Sequence, residues 1–199
     1  MPLVPDKLDV RGIKVEAVAY LGRAGVRVTD VAAQGSDDAS RLAIVPGVSL
    51  QDGTIEADLS GGTAPDAPPA WRGFVGIAFR VAADRSRFEC FYLRPKNGRS
   101  DDQVQRNHSV QYISVPGFGW EKLRTESPGK YESYADLVPG QWTRVKIQIA
   151  GSSARLFVNG ADQPVLVVND LKQPPATGGI ALWVGPGTIA HFSDLKVTK

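Results

Sequence analysis

The chain has 199 residues, 42% of them apolar, and a formal net charge of +2 from 23 basic and 21 acidic side chains mixed along its length. That mixing excludes the charge fields expected of a nucleic-acid or anionic-membrane binder. No stretch approaches the about 18 apolar residues of a membrane-spanning helix, and one cysteine excludes both an internal disulfide framework and a cysteine-based metal cluster.

Twenty-one Gly and fourteen Pro fall mostly between apolar runs, the punctuation of many short strands joined by tight turns. The expectation is an all-β chain forming a single sandwich domain over residues 1–199, a length at which all-β units commonly stay whole. The start, MPLVPDKLDV, lacks a charged segment followed by an apolar one. The reading is therefore a soluble protein, cytoplasmic as given, or exported if a signal peptide has been removed.

In chain order, residues 13–20 (IKVEAVAY) and 25–33 (GVRVTDVAA) read as an opening strand pair. SDDAS at 36–40 is a polar turn, and Pro46-Gly47 a second break after RLAIV. In TIEADLS, Ile55, Ala57 and Leu59 share one face of a half-solvated strand. GGTAPDAPPAW, 61–71, has neither helical nor strand periodicity and reads as a loop or cleft rim.

Two kinds of strand follow. WTRVKIQIA, 142–150, alternates cleanly, as an outer sheet with one wet face should. GFVGIAFRVA instead sets Val75, Ile77, Phe79 and Val81 against Gly76, Ala78 and Arg80, and FECFYLRP sets Phe91 and Leu93 against Cys90, Tyr92 and Arg94. Small residues beside long polar ones predict a concave face with something lying in it. SARLFVNG ends in Asn159-Gly160, a hairpin signal; QPVLVV follows, VNDLK reads as one helical turn, and GGIALWVGP and TIAHFSDLKVT close the chain. The count is eleven to thirteen strands, packed most economically as two antiparallel sheets in jelly-roll style.

DGTIEADL, GFVGIAFR, FECFYLRP with NGR, WTRVKIQIAGSSARLFVNG and GGIALWVGPGTIAHFSDLKV, taken in that order over residues 50–199, resemble the concanavalin A-like lectin/glucanase superfamily, in its laminin G-like and 3-keto-disaccharide hydrolase-like branches. The resemblance implies a curved two-sheet sandwich whose concave face meets a carbohydrate, with catalysis in some members and binding alone in many. The similar glucanases carry Glu-x-Asp-x-x-Glu on one strand. Here that string is Glu56-Ala57-Asp58-Leu59-Ser60-Gly61, without the third carboxylate.

The candidate ligand-binding side chains are Arg80, Tyr92, Arg94, Arg106, His108, Gln111, Tyr112, Trp120, Arg124 and Tyr131, all between Gly73 and Tyr134. Guanidiniums grip carboxylates bidentately, so the ligand is a neutral or an anionic sugar. Trp71 and Trp120, in Pro/Gly-rich surroundings, offer rings for stacking, whereas Trp142 and Trp183 on strands are expected to pack. Glycoside cleavage ordinarily needs two carboxyl groups. Glu89 and Glu132 with His108 are the catalytic candidates, and Asp136, Asp101 and Asp102 lie near; the alternative is that the glutamates pair with arginines.

His191 and Cys90 read as structural. No cofactor is expected and no metal set stands out, although the resemblance leaves room for a structural Ca²⁺ at Asp194. The leading function is carbohydrate binding; the alternatives are a glycoside hydrolase and a laminin G-like protein-interaction module. Oligomeric state stays open.

Overall fold

The computed structural model describes residues 1–32 and 38–199; the first half of the 36–40 turn lies outside the described residues. Fourteen strands among them are divided equally between two sheets. They are β1 (Asp9–Arg11), β2 (Ile13–Tyr20), β3 (Arg23–Asp30), β4 (Leu42–Leu50), β5 (Gly53–Thr63), β6 (Val75–Val81) and β7 (Phe88–Leu93), then β8 (Val110–Val115), β9 (Glu132–Ser133), β10 (Thr143–Ala150), β11 (Ser153–Val158), β12 (Leu166–Val168), β13 (Gly178–Val184) and β14 (Thr188–Thr198). Two short helices, α1 (Gln103–Asn107) and α2 (Trp120–Glu126), flank β8. The first sheet runs β1-β4-β13-β6-β7-β8-β9 and the second β12-β11-β10-β5-β14-β3-β2, with every pairing antiparallel. This is the two-sheet antiparallel sandwich that the strand pattern predicts.

The core lies between the sheets. Val75, Ile77, Phe79, Phe91 and Leu93 of the first sheet belong to one buried cluster with Ile55, Leu59, Val145, Ile147, Ile149 and Phe192 of the second. Strand β10 alternates buried with partly exposed residues as its sequence demands. Asn159 and Gly160 both take positive φ, 52° and 74°, the conformation a two-residue hairpin turn requires.

Where the fold departs from the sequence reading, local geometry gives the reason. Pro46-Gly47 does not break the chain: β4 runs through it to Leu50. VNDLK forms bends rather than a helical turn, and the segment after Gly119, read as loop, is α2. The larger departure is a bulge in β6. Its register with β13 shifts between Gly179 and Ala181, so Ala181 pairs Ala78 while Gly179 pairs Val81. Phe79 and Arg80 together face one partner position, and Arg80 sits at φ 53°.

That extra residue reverses the alternation. Val81 moves to the outer cluster with Ala78, Cys90 and Tyr92, and Arg80 leaves the outer face. Its guanidinium instead donates from Nε to Gln51 O (2.8 Å) and from Nη2 to Asp52 Oδ1 (3.0 Å) and Gly151 O (2.7 Å), fastening the bulge to turns of the second sheet.

Ile77 is fully buried between the sheets, so Ile77→Ala removes packed atoms that the surroundings refill only in part. Urea titration is expected to show a loss of about 2–5 kcal/mol, against less than about 1.5 kcal/mol for Ile77→Val.

Candidate functional site

The pocket is built on one transverse row of the first sheet. Trp183 pairs Gly76, Gly76 pairs Tyr92, Tyr92 pairs Gln111 and Gln111 pairs Glu132, so these five residues of five strands share the face turned away from the core. Glycine in the second place is required: a Cβ on Gly76 would stand 2.4 Å from Phe91 O and 2.6 Å from Tyr92 Cβ. Over that gap the Trp183 and Tyr92 rings meet, with centroids 4.8 Å apart.

One end of the row carries charge. Both Glu132 oxygens are taken by the Arg124 fork, Nε to Oε1 at 2.8 Å and Nη2 to Oε2 at 2.7 Å, the planar bidentate match of guanidinium and carboxylate. Arg94 adds Nη1 to Oε2 at 3.4 Å while donating to Tyr92 Oη at 2.8 Å and His108 O at 3.2 Å. His108 Nε2 lies 3.4 Å from Glu132 Oε1. Burial alone would raise the Glu132 carboxyl, but Arg124, with the charge of Arg94, outweighs it and holds the group below the ordinary range. Burial lowers His108 against the pull of Glu132, so its ring is neutral at pH 7.

The walls come from the connections. Asp102 caps the start of α1, its Oδ1 accepting from Val104 N (2.8 Å) and Gln105 N (3.3 Å), and His108 stands at the other end of the helix. Asn97 Nδ2 donates to His108 O at 3.1 Å. In α2, Leu123 is buried as an anchor, and Trp120 and Arg124, four apart, share a face; the Arg124 guanidinium lies 4.8 Å from the Trp120 ring centre and that of Arg94 5.8 Å. On the other side Trp71 lies on Gly187, where a Cβ would come within 1.8 Å of its ring. Arg41 is paired to Asp30 at 2.8 Å, and Asp30 also accepts from Gly187 N at 2.7 Å.

These parts enclose about 590 Å³, lined by Arg41, Ala70, Trp71, Arg72, Phe74, Tyr92 and Arg94 and by Asn97, Gln105, His108, Trp120, Arg124, Trp183 and Pro186.

Of the residues singled out from the sequence, Tyr92, Arg94, His108, Trp120 and Arg124 therefore meet in one pocket. Gln111 and Glu132 lie beneath it on the same row, fully and almost fully buried. Glu89, Tyr112 and Tyr131 face the opposite way. Tyr112 and Tyr131 belong to the intersheet core, and Glu89, wholly buried, accepts from Tyr112 Oη at 2.5 Å and Gln173 N at 2.9 Å. Burial raises the Glu89 carboxyl, opposed by those hydrogen bonds. The alternation that puts Phe91 and Leu93 inward puts Glu89 inward too.

Arg80 is withdrawn by the bulge. Arg106 lies over Tyr134, 5.2 Å from its ring centre, outside the pocket. Asp136 is tied to Arg99. His191 stacks on Tyr20 with centroids 3.6 Å apart, beside Trp142. Sequence reading missed Arg72 and Trp183. Arg72 follows Trp71 in the Pro/Gly-rich excursion, which was a usable signal, whereas Trp183 reads as a core residue because its strand is buried on both faces.

Among the described residues no cluster of three or more His, Cys, Asp or Glu side chains could hold a metal ion, and the Asp194 carboxylate is held by Arg144 (2.8 Å) and Lys196 (3.4 Å). No helix among them is long and apolar enough to cross a membrane.

No protein-family model matches the sequence, and no curated protein sequence is similar to it. Solved structures are similar. A carbohydrate-binding module, CBM66, of Bacillus subtilis superposes with TM-score 0.60 at 13% identity, covering 96% of this chain and 98% of that one. A Bacillus licheniformis β-glucanase gives 0.51 at 13%, over 96% and 87%. The fold is a concanavalin A-like jelly roll. A Bacillus subtilis protein of unknown function with a galectin-like fold, 0.58 at 15% over 95% and 88%, has the same architecture.

Acid should weaken this jelly roll in two stages. A group whose folded pKa is depressed adds stability that is present above its unfolded value and lost as pH falls through the folded one. The depressed His108 and His191 act below their ordinary value of 6.5, and Glu132 below 4.5. Thermal midpoints measured from pH 8 to 3 are expected to show His108→Gln removing its share of the first decline. Glu132→Gln, which strands two guanidiniums, is expected to cost about 3 kcal/mol at pH 7 and to flatten the second.

Proposed function

We propose that this chain binds a carbohydrate in the pocket between Trp71 and Trp120. The observation that carries the reading is the meeting, in about 590 Å³, of the Trp71, Tyr92, Trp120 and Trp183 rings with the polar groups of Asn97, Gln105, His108 and four arginines. Rings offer flat apolar faces to a pyranose or furanose, and fixed donors and acceptors orient its hydroxyls. The volume falls within the range of small-ligand sites. The likeness to a carbohydrate-binding module and a β-glucanase supports the reading at the level of fold.

Binding is favoured over hydrolysis by the chemistry of the walls. Glycosidases work with paired carboxyl groups flanking the scissile bond, and no Asp or Glu lines the pocket among the described residues. Glu132, on the row beneath the pocket, has both oxygens engaged and its proton affinity depressed, which suits a positioning role. A walled polar pocket also fits a sugar better than the flat apolar patch of a protein-docking module.

Isothermal titration against a panel of neutral and acidic oligosaccharides is expected to give saturable binding for at least one. Trp120→Ala should weaken it by on the order of tenfold, about 1.4 kcal/mol. Val167→Ser, at the exposed position of β12, should leave it unchanged. Silence from the whole panel refutes the assignment.

A further inference from the structure

Resting on the carbohydrate reading, we infer that the sugar is acidic: the pocket selects a uronic acid unit, whose carboxylate is received by Arg72 beside Arg124 and Arg94. Every charged side chain lining the pocket among the described residues is an arginine. Arg41 has Asp30. Arg94 and Arg124 share the single carboxylate of Glu132, Arg72 has no carboxylate partner among the described residues, and His108 is neutral beside them. Two positive charges are therefore left over in a cavity walled by aromatic rings, where a charge interaction is screened less than in open water.

Arg72 holds the uncommitted fork. Its Nη1 donates to Pro69 O and, at 3.4 Å, to Trp71 O, both of its own loop, and it forms no ion pair with a described residue. Arg94 and Arg124 already commit donors to Glu132, Tyr92 and His108 O, with both donors of the Arg124 Nε–Nη2 edge on Glu132. Nε and Nη2 of Arg72 are left, the pair of donors that grips a planar carboxylate bidentately. Its sequence neighbour Trp71 lines the same pocket, so one sugar residue can be stacked and have its acid group bound together.

The test is calorimetric titration with trimers of α-1,4-linked galacturonate and of β-1,4-linked glucuronate. Each is run beside its carboxyl-reduced neutral form and a 6-O-sulfated neutral trimer. The expected result is that one uronate binds at least tenfold more tightly than its reduced form and than the sulfated one. That preference should shrink between about 0.05 and 0.5 M salt. Arg72→Met should abolish the preference, bringing uronate affinity level with that of the reduced form; if its thermal midpoint shows unfolding, Arg72→Lys, which keeps the charge and loses the fork, should reduce it.

Equal or tighter binding of the reduced trimers, preference for the sulfated one, or a uronate preference that survives both variants overturns this inference and leaves the pocket a sugar site. Silence of every trimer while another sugar of the wider panel binds also overturns the inference, and silence of the trimers and the whole panel together ends both readings.

Discussion

The Glu132 carboxylate organises the functional face of this molecule. It sits at the end of a two-residue strand, β9, which alone would have little hold on the sheet. The fork of Arg124 ties it to α2, and Arg94 ties it to the end of β7. Through Arg124 the ion pair fixes the helix that presents Trp120; through Arg94 it fixes the carbonyl of His108 and the hydroxyl of Tyr92. Buried charges are costly unless matched in geometry and number. Here one anion is met by two cations, which leaves the surroundings positive instead of neutral. A residue read from the sequence as a candidate acid thus becomes the support that holds arginines and rings in place.

The sheet beneath contributes by being flat where it must be. Gly76 and Ala78 on β6 remove side chains from the middle of the outer face, and larger residues on either side lean into the space. Trp183 and Tyr92 touch across Gly76, and Phe74 meets Tyr92 edge-on at 6.1 Å. The same economy appears at Gly187, whose positive φ of 58° and missing Cβ let the Trp71 ring lie against the backbone. Rigid floor and walls of this kind reduce the ordering cost of binding.

Much of this was legible beforehand. Clean alternation in β10, the Asn159-Gly160 turn and the Gly/Pro spacing give the sandwich, and the Cys90-Tyr92-Arg94 phase of β7 places two pocket residues correctly. What was not legible has physical causes. Glu89, Tyr112 and Tyr131 are polar groups that the fold satisfies internally, through Gln173 N, Lys172 N and Asp170. Composition alone cannot separate a buried, bonded carboxylate from one aimed at a ligand. Trp183 was hidden by the apolar run around it, and α2 by its brevity, since seven residues flanked by Gly and Pro carry too little periodicity to read. Arg80 was misplaced because strict alternation was carried across a bulge that only pairing reveals.

That bulge also governs how this chain can be compared with others of its architecture. Beyond Phe79 the inward and outward positions of β6 trade places, so a relative with an unbroken strand matches this one only if a gap is opened there. Aligned without it, Arg80 would be credited to the ligand face and Val81 to the interior, the reverse of their true stations. At identities near 13%, a single unnoticed offset of that kind is enough to transfer a binding role to the wrong side of a sheet.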